Sequence, residues 1–534
     1  MQFLKVFLWI FFAILLLIVV GVYWGKTWIN NNLEAVVNAD PDRQYNVNFK
    51  QLEVDFFRGA ILINEVKITP LGEKIGVIVE GDVVQVMMTR VNILKLIWNK
   101  VLDVQELSFS QPEFIIHIPL ENPDEKKPAV ALQSLFGDLL SRGAIRNFQL
   151  DRASAVMLLG EDQIGSLNNL NILATELATD SLKWNYPIPF DYKRILISID
   201  SLDYLMDNQQ SLKVGKIEFD TESQQLILNT ISLKYSDGLQ KASLETDFQV
   251  DLIEVELEAL ILSGIEANSN LYSNLDIRAR KMELQGLEFE DFRNKNIARP
   301  PDEMKPLFQG LINKINFPLK LDTLKLTNAT IVYGEMVPGK NENWQLHIDN
   351  LNGDLINLTS IPESQAALGH IRGKFTAKIQ GSGNLTIDLK VPYDRDEFDM
   401  GVDFTSFNLT KINELLKPIM NGEIVSGDLV RMNVQIHGNS RESSNQLRFD
   451  YTDLKIELYQ KGTEKKNRVL SSLANLAVNN SNLPGERKYQ TATYTTQRNQ
   501  YRGPIHLVWK STKEGILTIV PGGVAQEFLK SSEK

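Results

Sequence analysis

Histidine, cysteine and clustered carboxylates are the residues with which a chain most readily does chemistry. This one uses them sparingly. Its five histidines, His117, His347, His370, His437 and His506, lie far apart, and none belongs to an HExxH pair or another metal-ligand spacing. His117 sits in an alternating apolar run, Phe114-Ile-Ile-His-Ile118, and reads as a solvent-facing strand residue. There are no cysteines, so thiolate metal sites, cysteine nucleophiles and disulfides are excluded. Neither a GxSxG nucleophile elbow nor a GxxxxGK[ST] phosphate loop occurs. Gly422-Glu-Ile-Val-Ser-Gly427 has suggestively spaced glycines, but no Gly-Lys-Ser/Thr follows, and it reads as a turn into a strand over Leu429–Ile436. Asp394-Arg-Asp-Glu397 is acidic but lacks the spacing of a calcium loop, so it reads as a charged hairpin tip. The expectation is a protein that is not an enzyme, with no catalytic, cofactor or metal residues.

Bulk properties exclude a further class. The chain has 534 residues, net charge −11 and 43% hydrophobic residues. An acidic chain lacks the basic field that nucleic acid requires. The apolar content is enough to bury a large surface.

From Val6 to Gly25 the sequence carries no charge. Twenty helical residues span roughly 30 Å, the thickness of a bilayer's hydrocarbon core. The run is longer than a signal-peptide core, and Gly-Val-Tyr-Trp-Gly-Lys is a poor cleavage site, so residues 6–25 are expected to be an uncleaved anchor. Tyr23, Trp24 and Trp28 stand at its distal end, where aromatic rings favour the membrane interface. A short leader that stays in the cytoplasm would export the rest.

That remainder is dominated by period-two alternation. Leu226–Tyr235, Leu244–Leu252 and Leu385–Val391 alternate apolar and polar residues, the pattern of strands with one wet face. Gln380-Gly-Ser-Gly-Asn384 reads as a hairpin turn. One set of offsets recurs beneath the alternation. Val104, Leu107, Phe109, Pro112, Phe114 and Ile116 form the first copy, and Ile145, Phe148, Leu150, Ala153, Ala155 and Met157 the second. Leu321, Leu324, Leu326, Ala329, Ile331 and Tyr333 form the third. A degenerate copy starts at Val214, with Ile217 and Phe219. Each copy contains a step of three that breaks the phase of the strand. Amphipathic helices are expected at Asn92–Lys100, Leu132–Arg142, Lys305–Ile315, Leu409–Met420 and Asn467–Val478. A last helix would carry Ile505, Trp509, Ile516 and Val520 on one face. Pro119–Pro128 and Asn294–Pro306 read as loops, and Asn479–Gly503 as a long polar loop. Trp98 could lie on a membrane surface near the anchor, but a packed helix end is the preferred reading.

Half-apolar strands need a cover. In a sandwich or barrel the sheet covers itself, whereas in an open trough the apolar face must hold something apolar. The fold expected is mainly β with a few amphipathic helices. One N-terminal transmembrane helix would lead into an elongated, twisted antiparallel sheet bent into an open groove. A sheet of 20 to 25 strands would be on the order of 100 Å long. Leu107, Phe109, Phe148, Leu150, Leu324 and Leu326 are the residues expected to contact lipid in the groove.

Three stretches carry a resemblance. The first is Phe56-Phe-Arg-Gly-Ala-Ile-Leu-Ile-Asn-Glu-Val-Lys-Ile68, which follows the anchor. The others are Arg90-Val-Asn-Ile-Leu-Lys-Leu-Ile-Trp-Asn-Lys-Val-Leu-Asp-Val-Gln-Glu-Leu-Ser-Phe109 and Leu321-Asp-Thr-Leu-Lys-Leu-Thr-Asn-Ala-Thr-Ile331. Together with Gly422–Leu429 and Tyr451–Leu458, they resemble the AsmA-like family of Gram-negative envelope proteins, relatives of TamB and YhdP. The resemblance implies an inner-membrane anchor, a periplasmic β-groove, and a part in phospholipid transport or outer-membrane homeostasis. It carries over no catalytic residue. On this reading the chain divides into an anchor at 1–28, an N-terminal groove region at 29–300 and a C-terminal region at 301–534. Its partners would be membrane lipids and envelope proteins. The rival reading is an assembly factor that pairs envelope proteins through its sheet edges and carries no lipid.

Overall fold

A computed structural model of the chain describes residues 2–38, 45–71, 78–99, 102–118, 143–182, 190–267, 269, 271, 275–340, 342–417, 422–459, 471 and 478–521. The helix expected at Leu132–Arg142, the loop Pro119–Pro128 and nearly all of Asn467–Val478 lie outside these residues. The protein is mainly β. Among the described residues, 21 strands belong to one mixed sheet and two short strands form a second. The chain makes two compact units. One comprises residues 1–208, 212–228 and 270–275; the other comprises 209–211, 229–269 and 276–534.

In the first unit, helix α1 (Gln2–Val37) runs well past the uncharged stretch. Strands β1 (Tyr45–Asp55), β2 (Ala60–Pro70), β3 (Ile78–Thr89) and β4 (Leu102–Ile118) follow as antiparallel neighbours, with helix α2 (Ile93–Asn99) between β3 and β4. β4 then pairs in parallel with β5 (Gly143–Leu159). β5 is antiparallel to β6 (Asp162–Thr175), which borders β9 (Arg194–Ile199) and β10 (Ser201–Leu205). β7 (Ala178–Leu182) and β8 (Phe190–Asp191) make the small sheet. Apolar residues of α1, α2, β1–β6 and β9 form one core, in which Ile29, Leu33, Ile61, Leu96, Ile145 and Leu150 are fully buried. Each such side chain contributes about 1.5–3 kcal/mol. Trp28 is partly buried and packs against this core. The end of α1 is fastened to β1 as well. Asn38 Nδ2 donates to the Val47 carbonyl at 2.7 Å, and the Val47 N–H donates to Asn38 Oδ1 at 2.8 Å.

β11 (Gln210–Asp220) and β12 (Gln225–Tyr235) lead into the second unit. There β13 (Asp251–Ile265) is antiparallel to β14 (Ile277–Gln285) and β15 (Glu288–Asn294), which run on from one another. Both pair in parallel with β16 (Leu319–Met336). An antiparallel meander follows: β17 (Asn343–Thr359), β18 (His370–Ile379), β19 (Ser382–Pro392), β20 (Glu397–Asn408), β21 (Gly422–Asn439), β22 (Glu442–Leu458) and β23 (Thr491–Gln497). The hairpin expected at Gln380–Asn384 is present, with Gln380 and Gly381 both left-handed (φ 49° and 67°), as a tight primed turn requires.

Several expectations are corrected. Leu244–Leu252 is not one strand. It follows helix α3 (Gly238–Ala242), and the Ser243 and Thr246 hydroxyls bond local carbonyls and leave Leu244 and Phe248 exposed. Such hydroxyls compete with a strand ladder. The polar stretch Asn479–Gly503 contains strand β23, whose alternate threonines suit a pleated surface. Helix α4 (Phe308–Ile312) is shorter than expected, followed along the chain by α5 (Pro362–Leu368). At Leu409 the chain makes a 3₁₀ turn (Leu409–Ile412) and one α turn, α6 (Asn413–Leu416). The last helix, α7 (Pro504–Ile519), is rotated from the expected face. It buries Leu507, Ser511, Gly515 and Ile519 and exposes Ile505 and Trp509.

Candidate apolar binding face

The phase break seen in the sequence has a backbone cause. In each copy the second step of three crosses a left-handed residue, Gln111 (φ 50°), Arg152 (φ 51°) and Asn328 (φ 54°), whereas the first step, from Val104, Ile145 or Leu321, crosses none. Glu65, Asn169 and Asn350 adopt the same conformation in β2, β6 and β17. A left-handed residue bends a strand and resets which side chains face inward. In both units an Asn-Leu-Asn triplet clamps the bend. Asn171 Oδ1 accepts the Arg152 N–H at 2.9 Å, and its Nδ2 donates to the Asn169 carbonyl at 3.0 Å. Asn352 does the same for Asn328 and Asn350, at 2.8 Å each. The intervening Leu170 and Leu351 pair with Ala153 and Ala329. Strand alternation does not reveal this recurring clamp, although Asn169-Leu-Asn171 and Asn350-Leu-Asn352 are visible in the sequence.

The bends keep apolar residues on one face. In the first unit Leu107 pairs with Phe148 and Phe109 with Leu150 across the parallel ladder, and the Phe109 and Phe148 rings lie 5.8 Å apart. All four are buried in the unit's core. In the second unit the corresponding row is partly buried, with Leu262 fully buried and Leu326 and Leu355 packed against that unit's core. Leu260 pairs with Leu284 and Leu262 with Met282; these pair in turn with Leu326 and Leu324, and Leu324 with Leu355. Leu260, Met282, Leu284, Leu324, Leu326 and Leu355 are all only partly covered. The opposite face of the same strands is mostly charged, although Ile261 pairs with Glu283 on it and Ile356 with Thr323. It carries Lys281, Glu283, Lys325 and Asp354, with Lys281 Nζ 2.5 Å from Glu283. This part of the sheet therefore has one apolar face and one wet face. Among the described residues of this unit, the cover over that apolar row is incomplete.

Further along the meander the same face becomes a closed core. Phe398, Val434 and Tyr451 are fully buried there, and Leu307, Leu507 and Ile519 join them from α4's leading edge and from α7. Phe308 stacks edge-on against Phe398 at 5.1 Å. α7 sits close: the Tyr494 hydroxyl donates to the Ser511 carbonyl at 2.6 Å, and the Ser443 and Ser511 hydroxyls are 2.8 Å apart. The six residues named from the sequence thus fall into two environments. Four lie in the first unit's packed core; Leu324 and Leu326 are partly buried in the second unit, where Leu326 packs against the core.

Beyond the bend at Asn328 the apolar face ends in charge. Ile331 and Phe289 are followed across β13, β15 and β16 by Asp251, Asp291, Arg293, Tyr333 and Glu335. Arg293 binds Asp251 through two bonds of 2.6 and 2.5 Å. Glu335 accepts from the Tyr333 hydroxyl and from Lys295, both at 2.5 Å. Asp291 Oδ1 is buried with no hydrogen-bond partner among the described residues. Burial, reinforced by Asp251 and Glu335, pushes its carboxyl up to about 6, against the pull of Arg293. Burial also raises Tyr333 well above the usual phenol range.

The histidines do not converge. His117 lies 3.9 Å from Glu80, and His437 Nδ1 is 2.8 Å from Asp399. Among the described residues, no three His, Asp or Glu side chains gather as metal ligands. Comparison with protein-family models, curated proteins and solved structures finds no match for this chain.

Proposed function

We propose that this chain is a non-enzymatic lipid-handling protein of the AsmA-like kind. It would be anchored in the inner membrane with its bulk in the periplasm, and would serve outer-membrane homeostasis. α1 is apolar and long enough to cross a bilayer from Phe12 onward. The observation that carries the reading is the incompletely covered, partly buried apolar row on β13, β14, β16 and β17. A row of leucines and methionine on ordered strands, backed by a mostly charged face, offers a surface for acyl chains rather than for a polar soluble substrate. Burying each methylene contributes about 0.8 kcal/mol, so one acyl chain supplies substantial affinity without headgroup contacts. Lipid extraction and mass spectrometry on the purified full chain test the reading. Acyl lipid in stoichiometric excess over that retained by a variant with Leu284→Lys and Leu326→Lys supports it. Equal retention by the two proteins refutes it.

A further inference from the structure

We propose that Phe57, Leu94 and Trp98, together with Trp24, form a collar that inserts into the boundary between hydrocarbon and headgroups of the bilayer that α1 crosses. The argument starts at Gly25, where the uncharged run ends. A Cβ on Gly25 would lie 2.5 Å from the Phe56 ring and 3.4 Å from Ile97 Cδ1. The turn between β1 and β2 and helix α2 therefore both press on α1 at the level where it leaves the membrane. Each contact residue is followed in sequence by a large exposed one: Phe57 is 83% exposed and Trp98 is 71% exposed.

Neither residue is loose. The Asp55 carboxylate accepts the N–H groups of Phe57 and Arg58 at 3.1 and 3.0 Å, which fixes the turn that presents Phe57. α2 buries Ile93, Leu96 and Ile97 and leaves Leu94 and Trp98, four residues apart on one face, uncovered. Single exposed apolar residues are ordinary, but Phe57 and Trp98 each follow a residue that packs on α1 at Gly25, which gathers exposed apolar residues at one level of α1 beside Trp24, the kind of grouping that marks an interaction surface. The occupant follows from continuity and charge. The patch adjoins the candidate membrane-crossing surface of α1, aromatic rings prefer the interface, and exposed Lys26 directly follows Gly25, while Arg58 is paired with Asp55 in the turn that presents Phe57. Insertion would fix the base of the first unit against the membrane and limit its tilt.

The absence of cysteine makes the test direct. Phe57→Cys, Leu94→Cys and Trp98→Cys are made singly in the full chain, spin-labelled and reconstituted into phosphatidylcholine vesicles containing phosphatidylglycerol. Collision with oxygen and with a water-soluble nickel chelate is compared with a label at Glu161→Cys, an exposed turn residue. The proposal expects nickel accessibility at the three sites to be at least about threefold lower than at Glu161, with oxygen accessibility higher, as the interface dictates. A smaller difference overturns it. Because labelling removes the native side chain, the Trp98 emission is also isolated as the difference between the wild type and Trp98→Phe. Quenching of that difference by brominated lipid is expected, and its absence overturns the proposal.

Discussion

Replacing Asp291 by asparagine gives a stability change whose size depends on pH. The carboxyl lies at the charged end of the apolar face, with Oδ1 buried and unpartnered among the described residues, and its folded-state value is raised from 3.8 to about 6. A shift of roughly two units corresponds to about 3 kcal/mol at 1.36 kcal/mol per unit. The group is only about half-buried, so solvent screening reduces this to about 1–2 kcal/mol. For an acid whose folded value is raised, ionisation penalises the native state. The penalty is complete above about pH 6 and fades as pH falls toward 3.8, where both states hold the proton. The amide that replaces the carboxyl cannot ionise. Asp291→Asn should therefore stabilise the second unit by about 1–2 kcal/mol at pH 8, a rise of roughly 2–5 °C in its unfolding midpoint, and by almost nothing at pH 4. Thermal unfolding of the full chain in detergent, followed by tryptophan emission, measures this, because Trp344 stacks on Tyr333 within the cluster. An equal shift at both pH values, or a loss of stability at pH 8, would refute the reasoning.

Other perturbations separate packed from open apolar positions. Leu150→Ala, in the fully buried core, should cost about 2–5 kcal/mol, whereas Leu324→Ala, on the partly buried row, should cost clearly less by chemical denaturation. Gly515→Ala places a methyl against the Tyr494 hydroxyl and within 2.8 Å of Leu447, so α7 must move. A loss of about 1–3 kcal/mol with faster hydrogen exchange in β23 is expected, and unchanged exchange would contradict the packing described. Asn171→Ala and Asn352→Ala each remove both bonds of a bend clamp. They should cost about 1 kcal/mol apiece and by similar amounts, as measured by urea unfolding.

The strand grammar is legible in the sequence because alternation follows directly from half-burial. The recurring offsets are legible too, since Leu107, Phe109 and Pro112, like Leu326 and Ala329, keep facing inward across each bend. The cause of the break is hidden. Gln111 and Arg152 are not residue types that announce a left-handed backbone, and only Asn328 hints at it. β23 escapes because threonines at 491, 493 and 495 read as polar loop, although their branched side chains favour strands. Leu244–Leu252 misleads for the opposite reason: its alternation is genuine, but local hydroxyl bonds and α3 hold the backbone elsewhere. Whether a leucine on the apolar face is packed or open depends on which elements close over it, and alternation along one strand does not encode that.

The central claim concerns one face of a few strands, so the sharpest measurement is site-resolved. A photo-crosslinking amino acid placed at Leu326, on the apolar face, and separately at Lys325, on the charged face, is irradiated in the full chain in native membranes. Mass spectrometry then identifies the adducts. The account predicts lipid adducts at 326 and none at 325. Absence of lipid at 326, or equal lipid labelling at both positions, would contradict it.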